Sequence, residues 1–514
     1  MEYPYSNFYE FLEVQAKKRN RKVALFVDEE KITYGKVLEN VDNLASFFFQ
    51  KGIKEGDKIA LFLRNSPEFI YTVFALSKIG AIVVPVNTFL KEEELSYILK
   101  DSESKALVAS VVYEEVVNRS NAQVQCDLLL WEGESPRTDE KNISFKEALL
   151  CTEDVKHILR GLEDTAVLIY TSGTTGKPKG AMLSNKNLLS NIEFARKLIK
   201  VKPKDRVIVF LPMFHSFTFT VGVIMPLYVG GSMVIIKSLQ PFSNIFKQTL
   251  TKRVTLFFGI PAVYNALAKA KLPWYFRWFN RIRVFISGAA ALQPKTLDAM
   301  AKKFRRAKLL EGYGLSEASP VVCVNTLKKQ KAGSVGSAEY DYKIKIVDEE
   351  MNELPAGQIG DIIVKGDHVM QGYFNRPEAT REAIVNGWLL TGDMGYLDEE
   401  GFLFIVDRKK DLIISKGINI YPREIEEIID LFEGISASAV IGLRDEKSGE
   451  IPVAYIELEE EFDGYDDEAL RAHMKKHLAN YKLPRQIYVI EELPKNATGK
   501  VLKRVLKEKL KNTR

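Results

Sequence analysis

Tyr170-Thr-Ser-Gly-Thr-Thr-Gly-Lys-Pro-Lys-Gly180 is the stretch from which the rest of the chain can be read. Its eleven residues hold four aliphatic hydroxyls (Thr171, Ser172, Thr174, Thr175), three glycines and two lysines, Lys177 and Lys179. An apolar, strand-like run at 165–170 leads into it, and a helical segment at 185–200 follows. Glycines let a backbone bend until its N–H groups converge, and such groups beside hydroxyls make a nest for polyphosphate. The two lysines add positive charge against the bound anion. Gly/Ser/Thr clusters are more often solvated turns. Here the density of anion donors between a strand and a helix points to phosphate. It is not a Walker loop, because Gly176-Lys177 is followed by Pro178 where Ser or Thr is required.

Outward from that loop the chain alternates apolar runs with helical segments. Strand-like runs fall at 58–63, 81–86, 106–110, 206–211, 232–237, 254–259 and 284–287, with a helix at 67–79. Continuous β-branched runs between amphipathic helices predict parallel sheets covered on both faces. Past about residue 333 the texture changes to hairpin-like strands at 343–347, 360–364 and 402–406. A tail of about a hundred residues then has the size of a separate domain. Its first helix starts at Pro422 and sets Ile425, Ile428 and Ile429 on one face. The expectation is an α/β chain. A large N-terminal domain of parallel αβ-layered sheets with a β-rich subdomain covers 1–407, and a small mobile α+β domain covers 408–514.

Composition narrows the function. A chain of 514 residues exceeds one core. Net charge of +5, with no basic groove interleaved with aromatic residues, argues against nucleic acid. Three scattered cysteines without metal spacing point to a reducing cytoplasm. The first residues lack the basic and apolar regions of a signal peptide. Residues 207–236 carry no Asp, Glu, Lys or Arg over thirty positions, long enough to span a bilayer. Pro212, Gly222, Pro226, Gly230 and Gly231 break that run into strand, turn, buried helix, turn and strand. His473 and His477 stand at i, i+4, but no third ligand is visible and two lysines lie between them, so they read as a solvated helix face.

The 170–180 segment resembles the signature loop of the adenylate-forming superfamily of acyl-CoA synthetases, aryl-CoA ligases, firefly-type luciferases and peptide-synthetase adenylation domains. Glu311-Gly-Tyr-Gly-Leu-Ser-Glu317 is similar to its adenine and magnesium segment, and Gly387-Trp-Leu-Leu-Thr-Gly-Asp393 to its ribose segment. Asp407-Arg-Lys-Lys-Asp411 is similar to its hinge, and Pro494-Lys-Asn-Ala-Thr-Gly-Lys500 to its catalytic lysine loop. Five motifs in the family's order carry the resemblance across essentially the whole chain.

The resemblance implies ATP, Mg²⁺ and coenzyme A, and a carboxylic acid activated as an acyl-adenylate. A carboxylate attacking the α-phosphorus brings two anions together, so positive charge must be supplied where they meet. The implied phosphate contacts are Thr171, Ser172, Gly173, Thr174, Thr175 and Gly176, with Lys179 as countercharge. Glu317 is the implied Mg²⁺ ligand, a hard oxygen donor for a hard cation, with Thr174 a second contact. Ser316 would donate to the α-phosphate. Glu311, Gly312, Tyr313 and Gly314 would line the adenine slot, Tyr313 stacking on the base and Gly288 with Ala289 closing the other side. Asp393 would accept from the ribose hydroxyls, assisted by Arg408. Lys500 would bridge carboxylate and phosphate in the transition state. Lys410 would be the pivot that later turns Lys416 and Gly417 toward the site to guide the thiol.

His215, in Leu211-Pro-Met-Phe-His-Ser216, bears on the acid. Amino-acid-activating relatives have an aspartate here to neutralise the α-ammonium, which histidine cannot do. His215 therefore joins the candidate catalytic residues and argues against amino acids. Phe217, Phe219, Val221, Gly222 and Val223 follow as an apolar wall, with Tyr264 in a second buried segment. The match over 386–393 and 404–412 looks closest to bacterial medium- and long-chain fatty acyl-CoA synthetases, which implies a fatty acid. An aryl acid is the alternative substrate. An acyl carrier protein is the alternative acceptor, since 501–514 carries six basic residues against one acid. A homodimer stays open. Five aromatic residues in the six positions 274–279 read either as a buried patch or as a peripheral contact with the inner membrane face.

Overall fold

The computed structural model describes residues 3–137, 139–171, 177–237, 243–288, 292, 294–416, 418–445, 448–459, 462, 464–496 and 499–512. Two eight-stranded sheets form the bulk of the chain. In the first, Lys308–Gly314, Val284–Ser287, Leu256–Gly259, Arg206–Val209, Ser232–Ile235 and Val23–Val27 run parallel in that order, with an antiparallel strand at each edge. Leu256–Gly259, Val284–Ser287 and Ser232–Ile235 are buried along their whole length, and Arg206–Val209 after its first residue, as strands covered on both faces must be. Their C-terminal ends put Gly259, Ser287 and Gly314 along one rim.

The second sheet holds Ile82–Pro85, Lys58–Phe62, Ser104–Ser110 and Leu128–Glu132 in parallel, with Thr165–Thr171 beside Ile82–Pro85. Thr165–Thr171 then turns back antiparallel onto Lys179–Ser184, pairing Thr171 with Lys179 and Tyr170 with Gly180. Thr165–Thr171 and Lys179–Ser184 are therefore paired as the two arms flanking the glycine-rich segment. The expected passage from strand through loop to helix is corrected by this second strand, on which Lys179 itself lies. Gly180, Ala181, Leu183 and Ser184 are buried, so the segment belongs to the sheet. The helix Asn185–Ile199 begins only after Ser184, whose hydroxyl accepts from the Asn187 N–H. Gly372–Tyr373 adds an outer strand against Ala181 and Met182.

The uncharged run folds as its punctuation predicts. Arg206–Val209 and Ser232–Ile235 pair in parallel, and between them a π-helical turn, Thr218–Ile224, leads into the helix Met225–Tyr228. Among the described residues no helix is long and apolar enough to cross a membrane.

A smaller antiparallel sheet contains Lys343–Val347, Gly360–Lys365, Trp388–Leu397 and Leu403–Arg408. Its register sets Asp393 opposite Arg408. From Ile413 onward a long hairpin, Ile435–Asp445 with Gly449–Leu458, takes Gln486–Ile490 as a parallel neighbour. The helix Pro422–Ile429 buries Ile425 and Ile429 against this sheet, while Asp467–His477 adds Leu470 and Met474. Among the described residues, nothing before Ile413 enters these two core clusters. His473 is less solvated than expected, since its Nε2 lies 3.1 Å from the Ile428 carbonyl. His477 is exposed.

Candidate active site

Glu317 sits on the short turn Ser316–Ala318, where the two large sheets meet. The Thr171 hydroxyl donates to its Oε1 at 3.2 Å, and the Tyr373 hydroxyl donates to the same oxygen at 3.0 Å. Burial, then the adjacent Glu317 carboxylate, pushes the Tyr373 phenol far up, so it stays a donor. The Lys179 ammonium lies over the Tyr373 ring, 5.3 Å from its centroid. Ser172, Gly173, Thr174, Thr175 and Gly176 lie outside the described residues. The shoulders of their loop are tied down. The Tyr97 hydroxyl donates to the Pro178 carbonyl at 3.0 Å, and the Tyr170 hydroxyl donates to Asp101 at 2.8 Å. Arg376 pairs with that same Asp101.

The Glu311–Glu317 segment supplies the opposite wall. A Cβ on Gly314 would meet the Pro320 carbonyl oxygen at 1.9 Å, so only glycine fits. Gly312 is less tightly confined, an added Cβ standing 3.1 Å from Val324 Cγ2 and 3.2 Å from the Cys323 carbonyl oxygen. The buried Glu311 carboxylate accepts from the Leu292 N–H at 3.1 Å. Gly288 faces open space, and Ala289 lies outside the described residues.

Tyr313 is engaged through its hydroxyl, which donates to Asp393 Oδ2 at 2.6 Å. Burial and the Asp393 charge hold that phenol protonated. Arg408 Nε stands 3.3 Å from Asp393 Oδ1. Asp393 thus has a partner on each oxygen.

Ser316 meets Ser216, their hydroxyl oxygens 3.0 Å apart. His215 adjoins Ser216. Burial drives its imidazole down to a pKa of about 4, so it is neutral at physiological pH. The Phe217 N–H approaches Nδ1 at 3.4 Å, which places the ring proton on Nε2.

The apolar wall expected after His215 is largely core instead. Phe219 is buried edge-to-face with Phe69 and Phe8, at 6.3 and 6.4 Å. Val221 and Val223 are buried in the same cluster. Tyr264 is fully buried, its hydroxyl donating to the Ile286 and Phe257 carbonyls at 2.7 and 3.1 Å. The π-helical turn Thr218–Ile224 buries Phe219, Val221 and Val223, and the helix Pro261–Lys269 buries Tyr264. Phe217 alone among those rings stays half-buried, 6.0 Å from Phe258.

Lys500 arrives from the C-terminal part of the chain. Its N–H donates to Asn496 Oδ1 at 2.9 Å, and its carbonyl accepts from the Asn496 N–H at 2.9 Å. Gly499, at φ +74°, is pressed against Ile260, since an added Cβ would stand 3.0 Å from Ile260 Cδ1. Burial foremost, then the Arg408 charge and more weakly Lys410, brings the Lys500 pKa down to about 8 against the opposing charges of Asp393 and Asp411. Lys500 therefore lies within electrostatic reach of Asp393 and Arg408. Lys410 lies on the turn Lys409–Asp411. Lys416 adopts φ +51° and is exposed, and Gly417 lies outside the described residues. Asp407 fastens this segment, accepting from the N–H groups of Arg408 and Arg423 at 2.7 and 2.9 Å. Two further ties join the parts, Lys269 to Glu459 at 2.6 Å and Lys295 to the Asp430 carbonyl at 3.1 Å.

Tyr373, Ser216 and Asp101 were not anticipated. Each contacts a residue far away in sequence; Tyr373 and Asp101 sit in no motif singled out above, and Ser216, at the end of the His215 segment, meets Ser316 a hundred positions on.

A family model described as AMP-binding enzyme matches residues 12–374, and one described as AMP-binding enzyme C-terminal domain matches 424–500. A long-chain-fatty-acid–CoA ligase of Bacillus subtilis is 35% identical, over 95% of this chain and 91% of its own length. A 4-coumarate–CoA ligase of Humulus lupulus is 33% identical, over 94% and 89%. The ATP-bound MatB of Rhodopseudomonas palustris superposes with a TM-score of 0.89 at 31% identity, over 99% of each chain.

Proposed function

The chain belongs to the adenylate-forming AMP-binding enzyme family, an AMP-forming acid–thiol ligase, and we propose that its acid is a fatty acid and its thiol coenzyme A. In the first step a carboxylate oxygen attacks the α-phosphorus of ATP and pyrophosphate leaves. In the second, the thiol attacks the acyl carbonyl and AMP leaves.

The observation that carries the substrate reading is the lack of charge beside the acid. His215 is held neutral, and residues 207–236 supply no ionised side chain to recognise an ammonium or a second carboxylate. Phe217, half-buried and backed by the buried Phe258, offers apolar surface next to His215. A neutral hydrocarbon tail fits that chemistry, and the Bacillus relative supports it. The coumarate ligase makes an aryl acid the second reading.

Within this reading the residues take the following roles. Lys500 presents its ammonium between carboxylate and phosphate, acting as a point charge. Ser316 donates to the α-phosphate and Lys179 offsets phosphate charge. His215 offers a neutral Nε2–H. Asp393 and Arg408 hold the ribose, with Tyr313 beside the base. Glu317, whose carboxylate is half-buried and oriented by two hydroxyls, fits a hard cation, so Glu317 with Thr174 would hold Mg²⁺. Bound there, Mg²⁺ would neutralise phosphate charge. The division falls between Asp407 and Arg408. Lys410 is the pivot for a second orientation in which Lys416 and Gly417 meet the thiol donor.

The test is AMP release across straight-chain acids of graded length, with benzoate and coumarate, using coenzyme A or holo-carrier protein as acceptor. With coenzyme A, kcat/KM should rise up to about fourfold per added methylene until the pocket is filled, the equivalent of roughly 0.8 kcal/mol each. Acetate, benzoate or coumarate outperforming every acid of about eight or more carbons would sink the substrate reading. A strong preference for carrier protein would replace the acceptor.

A further inference from the structure

Between Asp205 and Asp298 the chain runs for 92 residues with eleven Lys or Arg and no Asp or Glu. The short helix Trp274–Phe279 lies in this interval. Phe276 anchors it, only 2% exposed and packed edge-to-face on Phe246 and Phe304 at 5.3 and 6.4 Å. The anchor turns the other rings outward. Trp274 is 71% exposed, Trp278 66%, Phe279 67% and Tyr275 47%.

Exposed basic residues rim these rings. Lys271 precedes the helix and Arg281 follows it. Arg306 donates to the Trp278 carbonyl at 3.4 Å, which sets Arg305 beside it. Lys302 lies just before Phe304, and Lys247 just after Phe246. Lys303 points inward to cap the carbonyls of Leu267, Ala268 and Ala270 at 2.9, 2.6 and 2.7 Å.

We propose that this face is a docking surface for an anionic lipid bilayer. Four neighbouring rings on one turn, two of them indoles, suit the boundary between headgroups and acyl chains, where an apolar body and a polar tip are both satisfied. The basic rim is attracted to anionic headgroups, and no acidic side chain in the interval opposes it. A second copy of this chain would set one basic rim against another. An acidic protein would satisfy the rim but leave the rings without an apolar counterpart. The proposal stands whether or not the acid is a fatty acid.

The chain's four tryptophans make the test direct. Trp131 is buried and Trp388 half-buried, so Trp274 and Trp278 dominate quenching from outside. The full-length protein is mixed with vesicles of phosphatidylcholine alone or with phosphatidylglycerol, with brominated acyl chains in one series. Co-sedimentation should need phosphatidylglycerol, and the brominated chains should quench the tryptophan emission. Trp274→Ser with Trp278→Ser should weaken binding by about tenfold or more. Arg281→Glu with Arg305→Glu should do the same with the rings intact. Both double variants should keep the parent's thermal unfolding midpoint. Absence of binding to anionic vesicles overturns the proposal. So does unquenched emission, or unchanged affinity in folded variants. Protection of the rings by self-association or by an acidic protein, without vesicle binding, overturns it too.

Discussion

The two halves of the site are held in opposite ways. Glu317 and Asp393 each carry two side-chain partners, Thr171 with Tyr373 and Tyr313 with Arg408. Lys500 is placed by the backbone of its own loop and by a glycine contact with Ile260. Asp393 lies on a sheet strand and Glu317 on a turn tied to two sheet residues, whereas Lys500 sits on a loop from another part of the chain. Preorganised partners cost no reorganisation at the moment of reaction. A delivered cation can also be withdrawn, which suits a site that must afterwards admit a thiol. On the proposed reading, the difference means that the anion side of this chemistry is set by local packing and the cation side by domain position.

The largest effect should come from removing the delivered charge. Lys500→Ala is expected to lower acid-dependent ATP–pyrophosphate exchange by roughly 10²- to 10³-fold. Conversion of supplied acyl-adenylate and thiol to thioester should remain near the parent rate. Equal losses in both half-reactions would show that Lys500 is no more transient than Glu317, and the contrast would collapse. The same residue predicts a pH dependence. With a pKa of about 8, its ammonium is present below that value and lost above it. Exchange should therefore fall as pH rises through about 8, approaching tenfold per unit well above it. Lys500→Arg, which stays charged, should abolish that alkaline limb even if its overall rate is lower.

A smaller effect should follow from loosening the fixed side. Tyr373→Phe removes one of the two hydroxyls on Glu317 and keeps the ring under Lys179. A hydrogen bond to a charged group contributes about 1.5–3 kcal/mol. The Mg²⁺ concentration for half-maximal exchange should rise about tenfold or more, with little change in the response to pH. An unchanged Mg²⁺ response would mean that Glu317 does not depend on its partners.

The smallest effect belongs to the join between the halves. Lys269→Ala removes an exposed pair with Glu459, of the kind that contributes about 0.2–1 kcal/mol. The ratio of exchange to thioester formation should shift by less than about fivefold, toward the thioester step. A larger shift would mean that the domain position is held by this contact more than by the Lys500 loop.

Much of this was legible in the sequence because its causes are local. The strands Val284–Ser287 and Lys343–Val347 fall where their apolar runs place them. Pro422 opens the helix Pro422–Ile429 because its ring suits a first turn that needs no N–H partner. Gly314 is required by a close backbone approach that the Tyr-Gly-Leu-Ser run already marks. The order of the motifs was enough for family and reaction type.

What only the tertiary structure decided is where side chains point and which distant residues meet. Tyr373 reaches Glu317 across 56 positions because an outer strand pairs beside Lys179–Ser184. Phe219 and Tyr264 left the expected pocket because buried space behind the rim was available to fill. The rings of Trp274 and Trp278 face outward because Phe276 alone is anchored. An apolar residue gains by burial against any apolar neighbour, so its chemistry names no partner. The partner is fixed by close packing of the whole molecule, which no local stretch of sequence contains.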